Sequence, residues 1–193
     1  MKRGKFFVLV GPSASGKSTI VEELLKDQTL NLQRVVSATT RPPREGEVEG
    51  VDHYFVSREK FNEMLNHSEL LESALVHGRE YYGVPKKEVL ERLEKGENLI
   101  RDVDIQGVAQ LQEVLPEIVT IFIKPADLSV LRKRLQENRD ADDKEILDRL
   151  KSVEREMAME QYANYSVMNK QGELKQAVDM AKEIIETEVK KES

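Results

Sequence analysis

Gly11 and Gly16 stand five residues apart, and Gly16 is followed at once by Lys17 and Ser18, a Gly-x4-Gly-Lys-Ser spacing. That combination has a definite chemistry. Two glycines let the backbone curl so that successive N–H groups point at one phosphate chain, the lysine ammonium reaches the β/γ oxygens, and the serine hydroxyl takes one site on Mg²⁺. Gly11, Pro12, Ser13, Ala14, Ser15, Gly16, Lys17, Ser18 and Thr19 are therefore the candidates to hold a nucleoside triphosphate, and Ser18 is a candidate metal ligand. A second cluster follows at Arg41 and Arg44, three apart across Pro42 and Pro43. Two guanidinium groups on a proline-stiffened turn make a clamp for a doubly charged phosphate, with forked donors that lysine does not supply.

The elements around these residues are those that would position them. Phe6–Val10 is an apolar run that breaks at Gly11, and residues 19–27 restart as a helix with apolar residues at helical spacing. The helix turns its positive end and free N–H groups toward the same phosphates. Downstream, a short strand is expected at Arg34–Ser37, then a turn-rich, arginine-bearing segment over 37–57 that contains a strand at VDHYFV. Ser57 caps a helix, and Leu70–Val76 pairs as a strand with 81–84. Lys86–Lys95 is a helix closed by Gly96, followed by a strand over 98–103, a helix over 106–115 and a strand over 119–123. Helices are expected over 128–137 and 146–159, separated by a polar lid loop at 138–144, before a last strand at 165–168 and a terminal helix at 173–191. Strand–helix alternation interrupted by one Arg/Tyr-rich stretch predicts an α/β fold, with a parallel core sheet flanked by helices and a substrate subdomain inserted.

With 193 residues the chain reads as a single domain with a sizeable core. Its 36 acidic and 30 basic residues give a net charge of −6, which leaves no excess of cations for general nucleic-acid binding. Any anion must be held by a local cluster. The absence of cysteine suits a cytoplasmic protein, and no apolar run approaches a membrane span, so neither membrane nor nucleic acid is an expected partner.

From Phe7 to about Ile185 the sequence resembles the guanylate kinase family, phosphate-loop enzymes that move the γ-phosphoryl of ATP to GMP. The block Ser37-Ala-Thr-Thr-Arg41-Pro-Pro-Arg44-x-Gly46-Glu47-x-x-Gly50 carries the resemblance most specifically. It implies a phosphate-loop kinase with a core at about 1–37, 98–125 and 159–193, a GMP-binding insertion at 38–97 and a helical lid at 126–158. It further implies guanine recognition by Ser37, Glu72 and Asp102. The chemistry is sensible, because guanine shows donors at N1 and N2 that a carboxylate can accept together. Within Asp102-Val-Asp104-Ile-Gln-Gly107, Asp104 is assigned to the magnesium side.

Four departures stand out. Tyr82 matches the family's phosphate-binding tyrosine, but Val84 occupies the place of a hydroxyl residue that helps hold guanine O6. The other phosphate-binding tyrosine aligns with His53, with Tyr54 beside it, and spacing does not choose between them. The lid lacks the usual Arg-Gly-Arg-Gly: Asn138 falls at the first arginine's place, Arg139 can substitute by a one-residue shift, and Arg149 matches the helix arginine. Asn169 resembles an adenine-contacting asparagine, although Lys170 replaces the aspartate after it. Lys17, Arg41, Arg44, Arg139 and Arg149 are the expected catalytic cations, ATP and GMP the partners and Mg²⁺ the cofactor, in a monomer or homodimer. The rival readings are an interaction module that keeps the fold without the activity, which the intact Lys17 argues against, and a kinase for another small phosphate.

Overall fold

The structure is a computed structural model that describes residues 2–76, 79–126, 153 and 156–191. Strand β1 (Phe6–Val10) is buried along its whole length, as a strand covered on both faces must be. Alternation splits its side chains between two cores. Phe6, Val8 and Val10 join Leu99, Leu111 and Phe122 on one face, while Phe7 and Leu9 join Ile20, Leu24, Ile121 and Ile185 on the other. The second face is closed by α1 (Lys17–Lys26) and by α5 (Leu174–Lys190), through Ala177, Ala181 and Ile185.

Four further strands extend β1 into a five-stranded sheet: β2 (Leu32–Arg34), β7 (Asn98–Asp102), β8 (Val119–Pro125) and β9 (Tyr165–Asn169), in the order β2-β7-β1-β8-β9. Every pairing in it is parallel. The helices α3 (Lys86–Glu94) and α4 (Ile105–Val114) cover the first face with Val89, Leu93, Val108 and Leu111. Because β1 is the central strand, the loop leaving its C-terminal end opens at the middle of the sheet's carboxyl edge, where open α/β sheets bind ligands.

A second sheet of four strands has the order β4-β3-β6-β5, from β3 (Ser37–Thr39), β4 (His53–Phe55), β5 (Leu70–Val76) and β6 (Glu80–Pro85). The strand expected at Arg34–Ser37 is thus two strands in two sheets. Val35 gives the last main-sheet hydrogen bond, from its N–H to the Ile100 carbonyl at 3.1 Å, and the chain then crosses through buried Val36 into β3. Helix α2 (Arg58–Asn66) starts where expected, the Ser57 hydroxyl accepting from the Lys60 N–H at 3.1 Å. The helix expected at 128–137, the polar loop at 138–144 and most of the helix at 146–159 lie outside the described residues, with Asn138, Arg139 and Arg149.

Candidate active site

The loop between β1 and α1 is bent by its glycines. Gly11 has φ +138°, and a Cβ there would stand 2.2 Å from the Ile123 carbonyl oxygen of β8, so no larger residue fits. Gly16 has φ +95° and caps α1. Lys17 folds back on the loop, its Nζ donating to the carbonyls of Gly11 at 2.8 Å and Pro12 at 2.9 Å. Burial pulls its ammonium below the ordinary lysine value, and the carboxylates of Asp102, Glu156 and Asp104 oppose that shift. The Ser13 N–H donates to Glu156 Oε2 at 3.1 Å, placing a carboxylate against an amide of the anion-binding loop.

Asn169, at the end of β9, donates from Nδ2 to the Ser15 carbonyl at 2.8 Å. A cavity of about 420 Å³ opens beside it, lined by Gly16, Lys17, Ser18, Thr19, Asn169 and Gly172 among others. Asn169 is buried and its amide is engaged with the loop backbone, so the structure gives it a loop-supporting bond at the position where resemblance suggested a base contact.

The two aspartates after β7 divide their work. Asp102 Oδ2 accepts the Ser18 hydroxyl at 2.5 Å, which brings a strand-end carboxylate to the first turn of α1. Asp104 is exposed and caps α4, its Oδ1 accepting from the Gly107 N–H at 3.0 Å. The resemblance implies Asp104 on the metal side and Asp102 on the base. In the structure the carboxylate beside Ser18 is Asp102, because β7 lies next to β1 and ends there.

The second sheet assembles the other half. His53 and Tyr54 follow the pleat to opposite faces. His53 Nδ1 is 2.8 Å from the Ser37 hydroxyl, and its ring centroid is 5.7 Å from that of Tyr82. Tyr54 instead donates to Glu88 Oε2 of α3 at 2.9 Å, so it is drawn away from the cluster that contains Arg41. Burial lowers the His53 pKa, helped by the Arg101 and Arg41 cations, which favours a neutral imidazole. Arg41 Nε donates to the Tyr82 hydroxyl at 3.0 Å, and its two terminal nitrogens reach Glu47. Glu47 is held down to about 2 by the Arg41 guanidinium and by the Arg44 N–H, which donates to its Oε2 at 2.6 Å. The Arg44 side chain is exposed.

Glu72 is buried on β5, and burial pushes its carboxyl up to about 7, with Asp104 adding to the shift and Arg101 opposing it. Gly107 of α4 makes room for it, since a Cβ at that glycine would lie 2.7 Å from Glu72 Oε2. Val84 is fully buried in the core beside β7. The structure therefore brings Ser37, Arg41, His53 and Tyr82 together, buries Glu72 beside α4, and turns Tyr54 toward Glu88 of α3. Glu47 was visible in the arginine block without an assigned role; Glu156 and Arg101 carried no sequence signal, being single charged residues inside a helix and a strand.

A glycine-bent loop on the central strand of a parallel sheet, with a serine and a strand-end carboxylate paired behind its lysine, makes this chain a phosphate-loop kinase by fold. At the level of fold alone it is similar to a shikimate kinase from Bacteroides thetaiotaomicron, with TM-score 0.51 at 13% identity over 94% of this chain and 98% of that one. The family model for guanylate kinase matches residues 3–188, and the chain belongs to the guanylate kinase family. Its relatives include the guanylate kinases of Clostridium acetobutylicum, 42% identical over 87% of this chain and 79% of the relative, and of Fusobacterium nucleatum, 39% identical over 98% and 100%. The crystal structure of guanylate kinase from Anaplasma phagocytophilum superposes with TM-score 0.78 at 31% identity, covering 99% of this chain and 89% of that one.

Proposed function

We propose that this chain transfers the γ-phosphoryl group of ATP to GMP, and to dGMP by the same base contacts, through an in-line displacement assisted by Mg²⁺. The observation that supports this most is the buried Glu72: ionising a carboxyl in that place is costly unless a ligand supplies donors to the carboxylate, and guanine N1 and N2 supply two. Arg41 and Tyr82 form the acceptor-phosphate end of that site, with Arg44 on the same turn. Lys17 and the loop amides form the donor-phosphate end. The GMP phosphate is already ionised, so no general base is required; alignment and charge neutralisation do the work.

For the metal, Ser18 and Asp102 present two hard oxygen donors 2.5 Å apart, the donor type Mg²⁺ prefers. Among the described residues no group of three His, Cys, Asp or Glu forms a protein-only cage, which suits an ion held chiefly by water and substrate phosphates. In this arrangement Asp102 takes the metal side, Asp104 shapes the start of α4, and Mg²⁺ when bound would neutralise charge on the β and γ oxygens. Arg139 and Arg149 complete the set of cations from outside the described residues.

A coupled ADP-release assay across GMP, dGMP, AMP, UMP and ribose phosphates tests the reading. GMP should exceed AMP by roughly 10⁴ in kcat/KM, the scale reached when a site's buried polar groups are left unpaired by the wrong substrate. Turnover of a ribose phosphate with GMP inert would reject it.

A further inference from the structure

Glu72 accounts for one edge of a guanine base, and the neighbouring edge, with the acceptors O6 and N7, needs donors of its own. Val84, the residue of β6 buried in the core there, offers none. The Ser37 hydroxyl is engaged with His53. Arg101 is different. It lies on β7 with its side chain on the same face as Leu99 and Val103, toward the core that holds Val84 and Leu71. Its Nη1 donates to the Val35 carbonyl at 2.9 Å, at the crossover between the two sheets. Its Nε is buried without a hydrogen-bond partner among the described residues. A buried guanidinium N–H left unpaired costs free energy, and its use here would be to donate to an acceptor on a ligand.

The relation between Arg101 and Glu72 says what that use is. Glu72 Oε2 and Val103 Cγ1 both pack against Gly107, 2.7 and 2.6 Å from where a Cβ there would stand, and Arg101 lies two residues before Val103 on the same face, with no hydrogen bond between Arg101 and Glu72 among the described residues. A carboxylate from the second sheet and a guanidinium from the main sheet thus stand over the same face of the main sheet without closing on each other. Guanine carries two donors and, beside them, two acceptors along its exposed edges. We propose that Arg101 reads the O6/N7 side of the guanine base while Glu72 reads N1 and N2, so that base choice in this chain rests on a carboxylate–guanidinium pair. This rests on the assignment of GMP as acceptor. Adenine, with an amino group in place of O6, would turn a donor toward the Arg101 cation and leave the guanidinium unpaired, which strengthens discrimination.

The experiment compares GMP with 6-thioguanosine monophosphate, which keeps N1–H and the 2-amino group but replaces O6 with a poor acceptor. Both are assayed with wild type, Arg101→Met and Arg101→Lys at saturating ATP, and the ATP KM of each protein is measured separately at saturating GMP. Wild type should show a KM roughly tenfold or more higher for the thio nucleotide, the scale of a hydrogen bond to a charged donor. Arg101→Met should raise the GMP KM by a similar factor and bring the two substrates to within about twofold, with the ATP KM unchanged; Arg101→Lys should retain part of the discrimination. If Arg101 acts only by holding Glu72 ionised, Arg101→Met weakens both substrates equally and their ratio persists, which overturns the proposal. Equal KM values for the two substrates in wild type overturn it without any variant folding. Failure of wild type to phosphorylate GMP would instead remove the acceptor assignment on which the proposal stands.

Discussion

Arg41 and Glu47 are joined by a two-point fork, Nη1 to Oε2 at 2.9 Å and Nη2 to Oε1 at 2.8 Å, while Arg41 Nε donates to the Tyr82 hydroxyl. One guanidinium therefore ties the turn after β3 to strand β6. A lysine keeps the charge but offers a single ammonium, which cannot satisfy a planar carboxylate and a tyrosine in two directions. Arg41→Lys should raise the GMP KM roughly tenfold, worth about 1.4 kcal/mol, and leave the ATP KM unchanged. Steady-state kinetics with each substrate varied in turn checks this, and an unchanged GMP KM would show that charge alone suffices.

Lys17 makes its hydrogen bonds to loop carbonyls rather than to core groups. Lys17→Ala should leave the thermal midpoint close to wild type and remove most turnover, because the ammonium is needed where charge develops on the transferring group. Retention of more than about a tenth of wild-type kcat, a barrier change below about 1.4 kcal/mol, would refute the role.

Asp102 and Asp104 should separate cleanly by assay. Asp102→Asn removes the anionic partner of Ser18, so kcat should fall by roughly a hundredfold and the Mg²⁺ concentration for half-maximal rate should rise. Asp104→Ala removes the α4 cap, costing about 1 kcal/mol, or a midpoint lower by about 2–4 °C in a chain of this size. The opposite pattern, metal dependence shifted by Asp104→Ala and untouched by Asp102→Asn, would restore the order expected from sequence.

Glu72 makes stability pH-dependent in a predictable direction. Its folded pKa, about 7, lies above the ordinary 4.5, so between those values the folded chain holds a proton that the unfolded chain has released. Ligand-free stability should then decline as pH rises from about 4.5 to about 7, by up to about 3 kcal/mol, and level off above. Glu72→Gln should flatten that decline and raise the GMP KM far more than the ATP KM. Urea midpoints measured from pH 5 to 8 decide it, and parallel curves for the two proteins would place the Glu72 pKa at its unfolded value.

The sequence was legible where one residue's job depends only on its neighbours in the chain. Gly11, Gly16, Lys17 and Ser18 are read from spacing, and Ser57 and Gly96 marked helix ends that the structure reproduces. It was less legible where partners come from different elements. Nothing near Asp102 announces that β7 lies beside β1 and delivers its carboxylate to Ser18, 84 residues earlier. His53 and Tyr54 are adjacent in sequence, and only the register of β4 against β3, His53 opposite Ser37, decides which one faces Arg41. Arg101 reads as an ordinary charge in an apolar strand until the crossover at Val35 and the second sheet are seen around it.

The hydrogen bond from Asn169 to the Ser15 carbonyl spans 154 residues, tying the phosphate loop near the start of the chain to the last strand of the sheet. Gly11 likewise rests against Ile123 of β8. During synthesis the loop emerges early, yet two of the surfaces that shape it do not exist until β8 and β9 have left the ribosome. A nascent chain halted before β9 therefore carries the complete Gly-x4-Gly-Lys-Ser stretch without its Asn169 support. Such a fragment should bind nucleotide poorly while the finished chain binds it, so nucleotide capture reports completion of the sheet rather than appearance of the sequence.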